Sequence, residues 1–147
     1  MDKEISFVIV DDNESITTLF KDYLAFFLNF KSENIFIANN GEEALKLLQN
    51  NGFLNEEKPF IMITDIQMPV MDGFTLLNTI KKEYPNIFRK NIFKIITGIS
   101  MTKQQEEITD KFNDIEVLSK PLKIKDILLR FIQEAETKTI YQKNEFY

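Results

Sequence analysis

Five short apolar runs lie along this chain, each followed by a stretch with helical spacing, and that alternation most constrains what the chain can fold into. Ile5-Ser6-Phe7-Val8-Ile9-Val10 is the first run and ends in Asp11-Asp12. Ile16, Leu19, Phe20, Tyr23, Leu24 and Phe27 follow three and four apart, which predicts an amphipathic helix capped by Asn13 or Ser15. Asn34 to Ala38 predicts a second strand, and Asn39-Asn40-Gly41 turns into a helix carrying Ala44, Leu45, Leu47 and Leu48. Asn50-Asn51-Gly52 stops that helix. Phe60-Ile61-Met62-Ile63-Thr64 is continuously apolar, as a strand covered on both faces is, and ends in Asp65. The loop from Gln67 to Gly73 leads into a helix bearing Phe74, Leu76, Leu77 and Ile80, which Pro85 ends. A fourth strand spans Ile92 to Ile96 and is closed by Thr97-Gly98. Thr102 with Gln105 predicts a capping box for a polar fourth helix anchored by Ile108 and Phe112. Ile115 to Leu118 is the fifth strand, before Ser119-Lys120-Pro121, and a last helix turns Ile124, Ile127, Leu128, Phe131 and Ile132 inward. The phenylalanines around the first helix, Phe20, Phe26, Phe27 and Phe30, are expected in the core.

Strands alternating with helices predict an α/β fold: a doubly wound, five-stranded parallel sheet of flavodoxin-like (βα)5 architecture with right-handed crossovers. With 147 residues, 44% of them hydrophobic, one domain with its own core is expected over residues 1–136. Residues 137–147 form a polar tail, expected to fray, to be disordered or to prolong the last helix.

The chain holds neither Cys nor His. Disulfides, thiolate chemistry, Ser-His or Cys-His dyads and His-rich metal sites are thereby excluded, and acid–base or metal chemistry falls to Asp, Glu, Lys, Tyr and hydroxyls. Oxygen donors point to a hard cation such as magnesium. A formal charge of −5 with only two arginines, Arg89 and Arg130, argues against a nucleic-acid partner. No apolar run reaches membrane-span length and no secretory h-region precedes the first strand, so a cytoplasmic location and no membrane partner are expected.

In a doubly wound sheet, functional groups gather at the carboxyl ends of the strands. Those ends carry Asp11, Asp12 and Asp65, with Thr97 on the fourth strand and Lys120 just past the fifth. Alone, Asp11-Asp12 would read as a helix-start pair; strand-end position explains all five residues together. Three carboxylates brought close repel unless a cation sits among them, and magnesium with its octahedral oxygen shell resolves the conflict. Lys120 adds positive charge opposite, so the cleft suits a phosphoryl group and one carboxylate can act as its nucleophile. Asp72-Gly73 is expected to be structural, a cap and a tight turn, and Met68-Pro69 to shape the loop.

The run Asp65-Ile66-Gln67-Met68-Pro69-Val70-Met71-Asp72-Gly73 closely resembles the phosphoacceptor loop of response-regulator receiver domains. Asp11-Asp12, Thr97 and Lys120-Pro121 match the other signatures of that two-component family, in order, and the likeness covers about residues 5–134. The resemblance implies the (βα)5 receiver fold, with Asp65 as phosphoacceptor. It implies magnesium held by Asp12, Asp65 and the backbone carbonyl of Gln67, with Asp11 acting through a metal-bound water. Thr97 would hydrogen-bond the phosphoryl group and Lys120 would pair with it, oriented by a Lys120-Pro121 bond that is usually cis in this family. The sequence departs at Val117, where the family often has an aromatic that turns inward on activation. At Ile99, a position that tunes dephosphorylation, an apolar side chain implies a long-lived phosphorylated form.

The resemblance thus implies a stand-alone receiver in phosphorelay signalling, a phosphoprotein that catalyses its own phosphorylation and dephosphorylation but is not a turnover enzyme. Its donor would be a sensor histidine kinase, a histidine phosphotransfer protein or acetyl phosphate. Its output would be altered binding of a protein effector through the face of the fourth helix, fifth strand and last helix, by a monomer or weak dimer. One rival is a phosphate-independent interaction module. The other is a haloacid-dehalogenase-like phosphatase, which wants a second Asp two residues after the nucleophile, where this chain has Gln67.

Overall fold

The computed structural model describes residues 4–55, 58–97, 103, 106–107, 115–119 and 123–144. Five parallel strands form one sheet in the order β2-β1-β3-β4-β5. They are β1 (Ser6–Val10), β2 (Ile35–Ala38), β3 (Phe60–Thr64), β4 (Ile92–Thr97) and β5 (Glu116–Ser119). The helices among the described residues are α1 (Glu14–Asp22), α2 (Gly41–Asn50), α3 (Gly73–Glu83), α4 (Pro85–Lys90) and α5 (Ile124–Asn144). This is the doubly wound α/β architecture expected from the alternation. Of the helix expected from Thr102, the residues Thr102, Gln105, Ile108 and Phe112 lie outside the described ones; Lys103, Glu106 and Glu107 are described and helical.

The period of two along each strand sorts the core into two layers. Val8, Val10, Phe60, Met62, Phe93 and Ile95 face one side, where Ala44, Leu48, Phe74, Leu77, Ile80 and Ile87 cover them. Phe7, Ile9, Ile61, Ile63 and Ile96 face the other, under Phe20, Leu24, Ile124, Leu128, Phe131 and Ile132. Both faces of β1 and β3 are therefore dry, and every residue of these two strands is buried. Burial of that completeness supplies the main driving force, about 1.5–3 kcal/mol for each large apolar side chain. On the first face, Phe36, Phe53, Phe60 and Phe93 meet edge to face at centroid separations of 5.3, 5.3 and 5.6 Å, and Phe88 stacks on Phe93 at 5.0 Å.

Local chemistry sets the helix ends. Asn13, Asn40 and Asp72 each sit in extended backbone, and their side chains accept from the amides of Ser15, Glu43 and Thr75. Gly52 takes φ 78° just past α2, where an L side chain would be strained.

Two sequence expectations need correction. The first helix is not uniform: after Asp22 it widens into a π-helical turn, Tyr23–Phe27. That turn carries Phe26 and Phe27 outward, 76% and 65% exposed, so only Phe20 and Phe30 of the group expected inside are core. Pro85 does not merely end α3 but begins α4, where its missing N–H costs nothing at the first helical position. The last helix runs on to Asn144, taking in most of the polar tail. Among the described residues, no helix is long and apolar enough to cross a membrane.

One ionic cluster joins β4, β5 and α5. Lys94, 7% exposed in mid-sheet, reaches Glu116 at 3.0 Å and Glu134 at 2.7 Å. Arg130 forks onto both oxygens of Glu116 at 2.6 and 2.7 Å and contacts Glu134 at 3.2 Å. The Arg130 hydrogen bond, helped by Lys94, holds the Glu116 carboxyl down at about 2, against a smaller opposing effect of burial.

Candidate phosphoacceptor and metal site

The strand order reverses direction between β1 and β3, and the crevice at the carboxyl ends of strands beside such a reversal is where doubly wound sheets bind ligands. Asp11 and Asp12 leave β1 there and Asp65 leaves β3. The ladder fixes both departures: the Asp11 amide donates to the Ala38 carbonyl at 3.1 Å and the Asp65 amide to the Val10 carbonyl at 2.8 Å. As a result Asp11, Asp12 and Asp65 bring one carboxylate oxygen each within 4.8 Å of one another.

Burial differs across the three. Asp11 is 4% exposed, Asp65 half-buried and Asp12 exposed. Backbone amides orient the two inner acids: Asn13 N–H donates to Asp11 Oδ1 at 2.9 Å and Ile66 N–H to Asp65 Oδ1 at 2.8 Å. All three donors are hard anionic oxygens, and the exposed side leaves room for retained waters. This donor set fits magnesium and forms a divalent-metal site.

The loop after Asp65 is built around its backbone. Gly73 N–H donates to the Ile66 carbonyl at 2.9 Å, and a Cβ on Gly73 would run into the Asp65 carbonyl oxygen and stand 3.3 Å from Ile66 Cα. Close approach, rather than the tight turn expected, is thus what requires glycine there. Val70, 76% exposed, takes φ 69°, an uncommon conformation for a β-branched residue. The left-handed backbone at Val70 has no signature in the sequence, because the residue there is not Gly, Asn or Asp.

Thr97 closes β4 and is 7% exposed. β3 and β4 pair with Thr64 opposite Ile95, so Thr97 lies at the same end of the sheet as Asp65. Gln67 is exposed in the loop two residues past Asp65. Val117 is half-buried in β5 and packs on the core layer of α2 and α3. Lys120, Pro121, Gly98 and Ile99 lie outside the described residues.

The family profile of the response regulator receiver domain matches residues 7–132. An uncharacterized 14.6 kDa protein of Leptolyngbya boryana is 28% identical over 131 residues, 89% of each chain. The heme response regulator HssR of Staphylococcus aureus is 27% identical over 128 residues, covering 84% of this chain but 48% of HssR, so the chain spans about half of that relative. The signal receiver domain of an HD domain-containing protein from Pseudomonas fluorescens superposes with a TM-score of 0.74 at 24% identity, over 97% of this chain and 95% of that one. With the profile matched over most of its length and the acids gathered at the strand ends as described, the chain belongs to the response regulator receiver domain family.

Proposed function

We propose that this receiver takes a phosphoryl group onto Asp65 from a sensor histidine kinase or a histidine phosphotransfer protein. We propose also that phosphorylation changes its affinity for a protein effector through the segment after Thr97, β5 and α5. The observation that carries the reading is the approach of the Asp65 carboxylate to Asp11 and Asp12 within 4.8 Å at the switch point of the sheet. Likeness to HssR, named as a response regulator, supports a kinase as the donor.

In this proposal an oxygen of Asp65 attacks phosphorus, its bond to the donor nitrogen breaks, and the imidazole leaves. The Ile66 amide holds the other face of the carboxylate in place through that step. When bound by Asp11, Asp12, Asp65 and the Gln67 carbonyl, magnesium would supply positive charge against the acids and the phosphoryl oxygens. Thr97 donates its hydroxyl to a phosphoryl oxygen, and Lys120 pairs with another. The added charge and acceptor oxygens favour the arrangement in which those two groups close on the phosphate. With Val117 on β5 there is no aromatic to rotate, so Thr97 and the backbone after it carry the signal. The size of the population shift equals the difference in phosphate interaction between the two arrangements.

Incubation with acetyl phosphate and magnesium, followed by intact mass measurement, tests the chemistry. One phosphate adduct per chain, labile to hydroxylamine and lost in Asp65→Asn, is expected. An adduct that survives Asp65→Asn removes the proposal.

A further inference from the structure

Thr64 closes β3 one residue before the acceptor and is fully buried. The period of two along the strand sets it on the face of Phe60 and Met62, in the layer that α2 and α3 cover. A Val there would have the same shape and complete the apolar layer. A hydroxyl in that place is costly to bury unless it finds a hydrogen-bond partner. Its partner is close by: Thr64 Oγ1 donates to the Asp65 carbonyl oxygen at 2.9 Å.

That carbonyl belongs to the Asp65–Ile66 peptide unit, which is a rigid plane. One edge of the plane accepts from Thr64, and the other, the Ile66 N–H, donates to Asp65 Oδ1 at 2.8 Å. Turning the plane would break both bonds together. The Thr64 hydroxyl therefore aims an amide at a carboxylate that it does not itself touch. Two neighbours limit the same plane. The Asp65 N–H is held by the Val10 carbonyl at 2.8 Å, and the bare Cα of Gly73 stands where a Cβ would run into the Asp65 carbonyl oxygen. Gly73 sets where that oxygen cannot go, and Thr64 sets where it points.

We infer that Thr64 is a positioning residue for phosphoryl transfer, an inference that rests on the proposed function of Asp65. By holding the Asp65–Ile66 plane, its hydroxyl fixes the orientation in which the Asp65 carboxylate stands within 4.8 Å of Asp11 and Asp12. Without the hydroxyl the plane turns more freely, the Ile66 amide leaves Oδ1, and the carboxylate spends less time aligned for attack on phosphorus. Reaction rates fall steeply with such misalignment.

Two variants of the full chain separate this role from packing. Thr64→Val keeps the shape and removes the donor, whereas Thr64→Ser keeps the donor and removes a methyl group. The first readout, on ¹⁵N-labelled protein in chelator without any phosphoryl donor, is the Ile66 amide. In Thr64→Val its proton should move upfield and exchange with solvent about tenfold faster, while Thr64→Ser should match the wild-type chain. The second is the initial rate of adduct formation with acetyl phosphate and magnesium, followed by intact mass. Thr64→Val should react about tenfold more slowly and Thr64→Ser within about twofold of wild type. An Ile66 amide unchanged in Thr64→Val, a Thr64→Val rate equal to wild type, or Thr64→Ser slowed as much as Thr64→Val would each overturn the inference and leave the proposed function standing. A wild-type chain that takes up no phosphate would overturn both. The same spectra report that the variants remain folded.

Discussion

Gly73 shows how a single missing side chain positions the acceptor. Its Cα faces the Asp65 carbonyl so closely that any Cβ must displace the strand end or the start of α3. Gly73→Ala is therefore expected to destabilise the fold by about 1–3 kcal/mol, the usual range for overpacking, as read from the urea midpoint. Because the displaced backbone is that of Asp65, the same variant should also slow phosphorylation by acetyl phosphate more than its stability loss explains. Val70 presents the opposite case. It holds φ 69° while 76% exposed, so its side chain contributes strain without much burial. Val70→Gly should raise stability by a few tenths of a kcal/mol to about 1 kcal/mol in the same urea experiment, since relief of the left-handed backbone outweighs the added freedom of the unfolded chain. Residue by residue, the sequence announced the chemistry better than the geometry. Asp11, Asp12 and Asp65 were legible because strand ends are legible, whereas Val70 was not, since a φ angle leaves no trace in a residue type that normally avoids it.

Elements were legible wherever one period dominated a run. β1 and β3 stood out because burial on both faces leaves no polar residue inside them except at the ends. α4 was hidden because six residues are too few to display a helical period, and Pro85 invited the reading of a stop. Lys94 broke the pattern of β4, and its partners could not be seen locally: Glu116 lies 22 residues away and Glu134 farther still. The ionic cluster predicts a pH dependence of defined sign. The Glu116 carboxyl is held at about 2 instead of its ordinary 4.5, so folding favours its ionised form. The stabilisation is complete above the unfolded value, begins to fade below about 4.5 and is gone near 2. Glu116→Gln should accordingly lower stability at neutral pH and make little difference near pH 2. Since Glu116 and Arg130 keep 34% and 42% of their side-chain surface in solvent, screening reduces the neutral-pH loss to about 1–2 kcal/mol. Urea midpoints of both proteins from pH 7 to pH 2 check the convergence; a constant gap across that range would place the effect in packing and not in ionisation.

The molecule as a whole brings like charges together at its one topological reversal, and this has a consequence for stability that depends on metal. Three carboxylate oxygens within 4.8 Å repel by about 1 kcal/mol per pair in water and by more where the crevice shields them from it. Folding alone must bear that repulsion, and magnesium reverses it by binding only the folded cluster, adding about 1.4 kcal/mol once its concentration is ten times Kd. Asp12, the exposed member, can be neutralised without opening the core. Asp12→Asn should therefore melt slightly above the wild-type chain in chelator, by a few tenths of a kcal/mol to about 1 kcal/mol, since one repelling charge is gone. In magnesium the order should invert, because the wild-type chain gains the binding energy and the variant loses a ligand. Thermal melts of both proteins in chelator and across a magnesium series measure the crossing, with calcium-free buffers keeping the comparison to one ion. Two curves that stay parallel at every magnesium concentration would mean that the acids do not share a cation, and the electrostatic basis for phosphoryl transfer at Asp65 would be lost with it.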